Sequence, residues 1–162
     1  MALATQVALW WILGGWFGAL LLFAFVVAPN AFVVLPAEAA GSLVSPVLGS
    51  LQLYGMGAGV ALAAIAARLE RGRLLIFLPL VLALLCAISH FVITPGIAEV
   101  RPSELGPDSA VESAARFALL HRASELVYAA VGLGTLALTV LHARADVAAR
   151  SGRADGIRVS PS

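Results

Sequence analysis

The sequence predicts an all-α fold, an integral membrane four-helix bundle with both termini in the cytoplasm. The first observation is the composition, because 61% of the 162 residues are hydrophobic and only 12% are charged. A soluble domain is about 45–50% apolar and about 25% charged, so a water-soluble globule of this size could not bury so much apolar surface. The second observation is that the apolar residues form four long runs, each near the roughly 20 residues that cross a bilayer.

The same composition excludes several other classes of protein. Disordered chains are polar and rich in charge, unlike this one. The single cysteine, Cys86, excludes a disulfide scaffold. The net charge of only +1 argues against a basic face for nucleic acid. We therefore expect the lipid bilayer, and no nucleic acid, among the partners.

The four apolar runs define the predicted helices. The first run exceeds the about 7–15 apolar residues of a signal peptide, so we expect it to stay in the membrane. The third run ends at Thr94-Pro95-Gly96, and the fourth includes an interfacial start whose first residue the sequence leaves open. The predicted helices cover residues 7–28, 44–67, 74–93 and 110–143 of a transmembrane domain that spans residues 1–143. Residues 144–162 are expected to form a polar cytoplasmic tail that is partly disordered.

Arginine sets the predicted orientation, because basic residues concentrate on the cytoplasmic side of a membrane. Seven of the ten fall on the side that holds both termini and the turn between helices two and three: Arg68, Arg71, Arg73, Arg144, Arg150, Arg153 and Arg158. The other three lie on the opposite side, among most of the acidic residues: Arg101, Arg116 and Arg122. All ten basic residues are Arg and Ala is abundant, which indicates a GC-rich genome and hence a bacterial inner membrane.

Small residues recur one helical turn apart in the first two helices. Gly14 and Gly18 form one such pair, and Gly55 and Gly59 form the other. In lipid, these pairs let helix backbones approach closely and gain van der Waals contact. They predict packing inside one bundle or a docking face for a second copy or another membrane subunit, and the sequence leaves both open.

Most polar residues that could do chemistry fall at the predicted outer end of the bundle. Cys86 and His90 are four residues apart on the third helix, and His121 and Glu125 are four apart on the fourth, so each pair shares a helix face. Ionisable residues inside spans are expensive and by default indicate a functional site. These four residues predict a site for copper, zinc or haem, with Arg101 or Arg122 as a charge partner. A structural polar cap, or a site for another ligand, remains the alternative.

Short motifs along the chain resemble the transmembrane protein 205-like family, a domain of unknown function (4149). The motifs are Gly14-Gly-Trp-Phe-Gly18, Ala28-Pro29, Phe32, Ala40-Gly41, His90, Thr94-Pro95-x-Ile97, Arg101 and Phe117-x-x-Leu120-His121-x-x-Ser124. The resemblance implies a four-helix membrane bundle, distantly similar to copper-resistance membrane proteins and to haem-binding four-helix proteins. It also implies functional positions at His90, Pro95, Arg101, His121 and Ser124. Gly96 departs from the family pattern, in which an Arg often follows that Pro.

Three functions follow as hypotheses. The first is a membrane protein that binds or handles a metal ion or haem at the outer-leaflet end, with His90 and His121 as ligands and Glu125 as a ligand or orienting group. The second is a non-catalytic accessory subunit of a larger membrane complex. The third is a small membrane redox enzyme. The sequence carries no recognisable set of catalytic residues, which favours the first two.

Overall fold

A computed structural model describes residues 2–100 and 110–158. Within those ranges all regular structure is helical, so the predicted all-α class is confirmed there. Four helical runs are long and apolar enough to cross a membrane, and we number them spans 1 to 4: Leu3–Val34, Ala37–Arg68, Arg73–Glu99 and Ser113–Ser151. The length and apolar composition of these four helices indicate a multi-pass membrane protein.

Two of the spans are composite. The helices are α1 (Ala2–Leu22), α2 (Ala28–Val34), α3 (Ala37–Arg68), α4 (Arg73–Ile88), α5 (Thr94–Glu99) and α6 (Ala110–Arg158). A π-helical segment, Phe23–Val27, joins α1 to α2, and a second one, Ser89–Ile93, joins α4 to α5. Each segment shortly precedes a proline, Pro29 or Pro95, which has no N–H to donate to the turn before it.

The helix ends differ from those predicted. The second helix begins at Ala37, directly after Pro36 and seven residues before the predicted start. The fourth helix continues to Arg158, so most of the predicted polar tail is helical. The boundary between a membrane domain and a tail at residue 143, and the partial disorder of that tail, stay predictions.

The turn between α3 and α4 has a defined backbone geometry. The N–H of Arg71 donates to the carbonyl of Ala66 at 3.0 Å, and the N–H of Glu70 donates to the carbonyl of Ala67 at 3.1 Å. These two bonds form a Schellman motif, which normally places a glycine where the backbone turns left-handed. Here Glu70 takes that place with a φ of 52°. The turn brings Arg71 back towards the bundle immediately after the helix ends.

The helices form a ring in which each contacts its two neighbours. α3 packs against α4, α4 against α6, and α1 against both α3 and α6. The buried core is apolar and comes from all four spans: Leu9, Leu13, Trp16, Leu20, Ala58, Leu62, Ala66, Leu75, Leu82, Cys86, Val131 and Leu138. Large apolar side chains also cover the outside, including Trp11, Phe25, Val33 and Leu133. An apolar outer surface around an apolar core fits a bundle surrounded by lipid.

The two predicted glycine pairs have different environments. A Cβ at Gly55 would lie 2.8 Å from Cys86 Sγ, and a Cβ at Gly59 would lie 2.4 Å from the Pro79 carbonyl oxygen. These glycines therefore lie where α3 and α4 approach most closely. Gly14 and Gly18, by contrast, are exposed, and a Cβ at either of them would have nothing within 4 Å. Gly14 and Gly18 therefore meet no other helix among the described residues. Their alternative role, a docking face for a second copy or another membrane subunit, stays a prediction.

We expect Gly59→Ala to destabilise the protein by about 1–3 kcal/mol, because the new methyl group would meet a backbone carbonyl that cannot rotate away. The matched control is Gly57→Ala on the same helix, where a Cβ has nothing within 4 Å. This control should be neutral or slightly stabilising, since Ala is the better helix former. Thermal unfolding of both variants in one detergent measures the difference. Equal melting temperatures would contradict the close contact of α3 with α4.

Candidate functional site

A large cleft lies between the end of span 1, the start of α3, α5 and the start of α6. Its volume is about 590 Å³, which is within the about 300–1,000 Å³ of sites for small molecules. The described residues that line it are Phe32, Ala37, Glu38, Gly41, Val44, Ser45, Leu48, Thr94, Ile97, Ala98, Phe117, His121 and Ser124. We call this region the outer cleft. Most of its lining is apolar, with one carboxylate and one imidazole.

His121 is the predicted site residue that lines the outer cleft with an ionisable side chain. Its ring stacks on Phe117, with ring centroids 5.7 Å apart and planes only 7° from parallel. Its Nε2 lies 3.4 Å from Glu125 Oε1, one helical turn further along α6. The two side chains are 55% and 65% exposed, so this contact contributes little to stability. His121 is therefore open to a ligand at the edge of the cleft, with Glu125 beside it.

A second, much smaller cavity adjoins the outer cleft further into the bundle. Its volume is about 20 Å³, close to the space that one water molecule needs. We call it the inner cavity, and its lining is Leu20, Leu48, Leu51, Gln52, Cys86, Ser89, Ser124, Val127, Tyr128 and Val131. Leu48 and Ser124 line both spaces, so the inner cavity lies at the inner end of the outer cleft.

A hydrogen-bonded network forms one wall of the inner cavity. Gln52 on α3 donates from Nε2 to Ser89 Oγ at 2.7 Å, and its Oε1 lies 3.3 Å from His90 Nδ1. Thr94 Oγ1 donates to the Ser89 carbonyl at 2.9 Å. Gln52 and Ser89 are almost fully buried, where such groups need partners. The network fixes the second π-helical segment against α3.

The first π-helical segment is held in a similar way. Tyr128 on α6 donates its hydroxyl proton to the carbonyl of Leu20, just before the segment begins. The Tyr128 ring also packs on Phe23, with centroids 5.5 Å apart. Single π-helical turns are frequent at functional sites. Both such segments of this chain are tied to other helices by residues that line the inner cavity.

The predicted metal ligands do not form one cluster in the structure. His90 contacts Gln52 and Gly49 on α3, while the sulfur of Cys86 lies against Gly55. His121 pairs with Glu125 instead. Among the residues described, no group of three or more His, Cys, Asp or Glu side chains could hold a metal ion. Convergence of the four predicted ligands is therefore not observed, because His90 faces α3.

The remaining predicted positions are dispersed. Ser124 is 8% exposed and lines both cavities. Arg122 is exposed on α6, and Pro95 lies exposed near the start of α5. Arg101 lies outside the described residues. Of these four positions, Ser124 is the one that the structure places in the candidate site.

A polar cluster at the opposite end of the bundle was not predicted from the sequence. Arg71 forms an ion pair with Asp146, and its Nη1 also donates to the carbonyl of His142 at 3.0 Å. Asp146 Oδ2 accepts from Gln6 Nε2 at 2.8 Å and from Trp10 Nε1 at 3.2 Å. We call these five residues the Arg71 cluster. It joins α1, the turn after α3, and α6.

No single segment of the sequence predicts the Arg71 cluster. Its members come from three segments, and Arg71 and Asp146 are 75 residues apart. The one local signal is that an acid, Asp146, stands within five residues of the end of the apolar run at Leu141 and therefore lies within reach of the membrane surface. The side chains of Arg71 and Asp146 are each only 10% exposed. A buried charge needs a partner, so this acid could have been expected to pair.

The described residues form four helices that are long and apolar enough to cross a membrane, with two cavities at one end of the bundle. A family model described as a domain of unknown function (DUF4149) matches residues 11–104. Since the match covers more than half of the chain, this protein belongs to the DUF4149 family. No curated protein and no solved structure matches the chain.

We expect Asp146→Asn to lower the free energy of unfolding by about 3 kcal/mol, because it leaves the buried Arg71 guanidinium without its counter-charge. Arg150→Gln is the matched control, since Arg150 is exposed one turn further along α6. That variant should unfold like the wild type. Melting curves in detergent measure both variants. If Asp146→Asn melts at the same temperature as the wild type, the ion pair does not stabilise the bundle.

Proposed function

We propose that this chain is a multi-pass protein of the bacterial inner membrane that binds a small amphipathic molecule in the outer cleft. The observation that carries the proposal is the 590 Å³ cleft itself, with its mostly apolar lining. Clefts of this size, lined by apolar side chains with a few polar groups, are the usual sites for small ligands. An apolar molecule with one or more hydrogen-bonding groups matches this lining.

The lining separates into parts with different roles. Phe32, Val44 and Leu48 are among the residues that would contact the apolar body of the ligand. Glu38 and His121 supply charge and hydrogen bonds at the edge, where both side chains are exposed. The ligand would then exclude water from apolar walls, which is the main source of affinity in such sites.

Metal or haem binding is the second candidate. It is favoured by the His121–Glu125 pair at the edge of the outer cleft, because a carboxylate next to an imidazole is a common part of metal sites. The link to the transmembrane protein 205-like and copper-resistance proteins stays a prediction from the motifs. Assembly with a partner subunit or a second copy stays a prediction from the exposed Gly14 and Gly18.

The proposed orientation has both termini in the cytoplasm. The Arg71 cluster joins the start of α1, the turn after α3 and the end of α6, so these segments share one end of the bundle. That end also carries Arg68 and Arg73, beside the same turn. The excess of Arg at this end supports a cytoplasmic position under the positive-inside rule. The outer cleft would then open on the far side of the membrane.

We expect Val44→Trp to lower binding in the outer cleft about tenfold, or about 1.4 kcal/mol, because the indole would occupy space that a ligand needs. The probe is hexadecanol carrying a photoreactive diazirine, added to the protein in liposomes. Mass spectrometry of the cross-linked peptides measures how much of the probe reaches cleft residues.

The matched control for this variant is Val60→Trp, on the same helix but 58% exposed away from the cleft. Its labelling of cleft peptides should equal that of the wild type. If Val44→Trp and Val60→Trp give the same labelling, or the wild type shows none in the cleft, the binding proposal fails.

We expect green fluorescent protein fused after the last residue, Ser162, to fluoresce in bacteria, because this reporter folds in the cytoplasm when the C-terminus lies there. Alkaline phosphatase fused at the same point should be inactive. The matched control is fusion after Glu99, at the end of span 3. At that point alkaline phosphatase should be active and green fluorescent protein should not fluoresce. Phosphatase activity at the C-terminus would contradict the proposed orientation.

A further inference from the structure

We propose that the ligand of the outer cleft presents a neutral oxygen, a hydroxyl or a carbonyl, to the inner cavity while its apolar body fills the cleft. This inference rests on the proposed function and specifies the class of ligand. The occupant is thus a lipid-like alcohol or carbonyl compound whose polar end lies deep in the bundle.

Continuity of the two spaces is the first argument. Leu48 on α3 and Ser124 on α6 line both the outer cleft and the inner cavity. These residues therefore lie between the two spaces, which places the spaces next to each other. A molecule that fills the cleft up to Leu48 and Ser124 would bring its end group to the edge of the inner cavity.

The size of the inner cavity is the second argument. Its volume of about 20 Å³ accepts one group the size of a water molecule. A hydroxyl or carbonyl oxygen has that size, whereas a phosphate or a quaternary ammonium group is too large.

The chemistry of the lining is the third argument. Its polar side chains are Gln52, Ser89, Ser124 and Tyr128, and the lining that the structure describes contains no Arg, Asp or Glu. A charged end group would lose its water there without gaining a counter-charge. Gln52 has a second N–H besides the one that reaches Ser89, and a serine hydroxyl also carries a proton. These donors suit an acceptor oxygen that is neutral.

The test compares three photoreactive probes of equal chain length that end in a hydroxyl, a methyl or a carboxylate group. Each is added to the full-length protein in phosphatidylcholine liposomes, and labelling of cleft peptides is measured. We expect the alcohol to label the cleft roughly fivefold more than either other probe, the scale set by one net hydrogen bond. Ser124→Ala should reduce the ratio of labelling by the alcohol to labelling by the other probes towards one.

Two further variants make the test specific. Ser50→Ala is the matched control, because Ser50 is exposed and its hydroxyl donates to the Pro46 carbonyl of its own helix. It should keep the full preference for the alcohol. Leu48→Phe narrows the space between the cleft and the inner cavity without changing a polar group, so it should lower labelling by the alcohol. This variant keeps the test valid if Ser124→Ala folds poorly.

The outcomes separate this inference from the proposed function. If no probe labels the cleft, the proposed function fails and this inference fails with it. If all three probes label the cleft equally, or the carboxylate labels it best, the cleft binds ligands but the neutral oxygen in the inner cavity is refuted. A preference for the alcohol that survives both Ser124→Ala and Leu48→Phe also refutes it.

Discussion

The close contact at Gly55 and Gly59 sets how α3 and α4 pack against each other. At Gly59 the two backbones are so near that a Cβ would lie 2.4 Å from the Pro79 carbonyl oxygen. In lipid the hydrophobic effect does not hold helices together, so such van der Waals contact and weak Cα–H···O bonds must do so. The two helices are thus fixed along their middle. The outer cleft lies beyond that contact, where spans 1 and 3 change to π-helical geometry.

Two groups of polar residues, one at each end of the bundle, have opposite properties. The Arg71 cluster is charged, buried and bonded within itself, and its ion pair joins three segments. The polar lining of the inner cavity is neutral and adjoins open space. Charge in a membrane protein commonly indicates function, yet here the charged set closes one end of the bundle. The neutral set adjoins the outer cleft, whose edge also carries the ionisable side chains of Glu38 and His121.

The sequence predicted the spans because a long, uncharged apolar run in a chain of this composition can form few structures other than a membrane-spanning helix. It predicted the positions of side chains less well. The spacing of residues shows which of them share a helix face, but not which other helix that face packs against. Gly14 and Gly18 have the same spacing as Gly55 and Gly59, yet a Cβ on either would meet no other helix. His90 was grouped with His121 because both lie at one end, but its neighbour is Gln52 on α3. Which helix a side chain contacts depends on the rotation of its own helix about the helix axis, and the spacing of residues does not give that rotation.

The position of Arg71 in the turn between spans 2 and 3 has a consequence for biosynthesis. The ribosome makes Arg71 long before Asp146, which is 75 residues later in the chain. Until the last helix enters the membrane, the guanidinium must remain hydrated at the surface, and Gln6 and Trp10 lack their acceptor. Completion of the bundle is therefore coupled to the arrival of the final span.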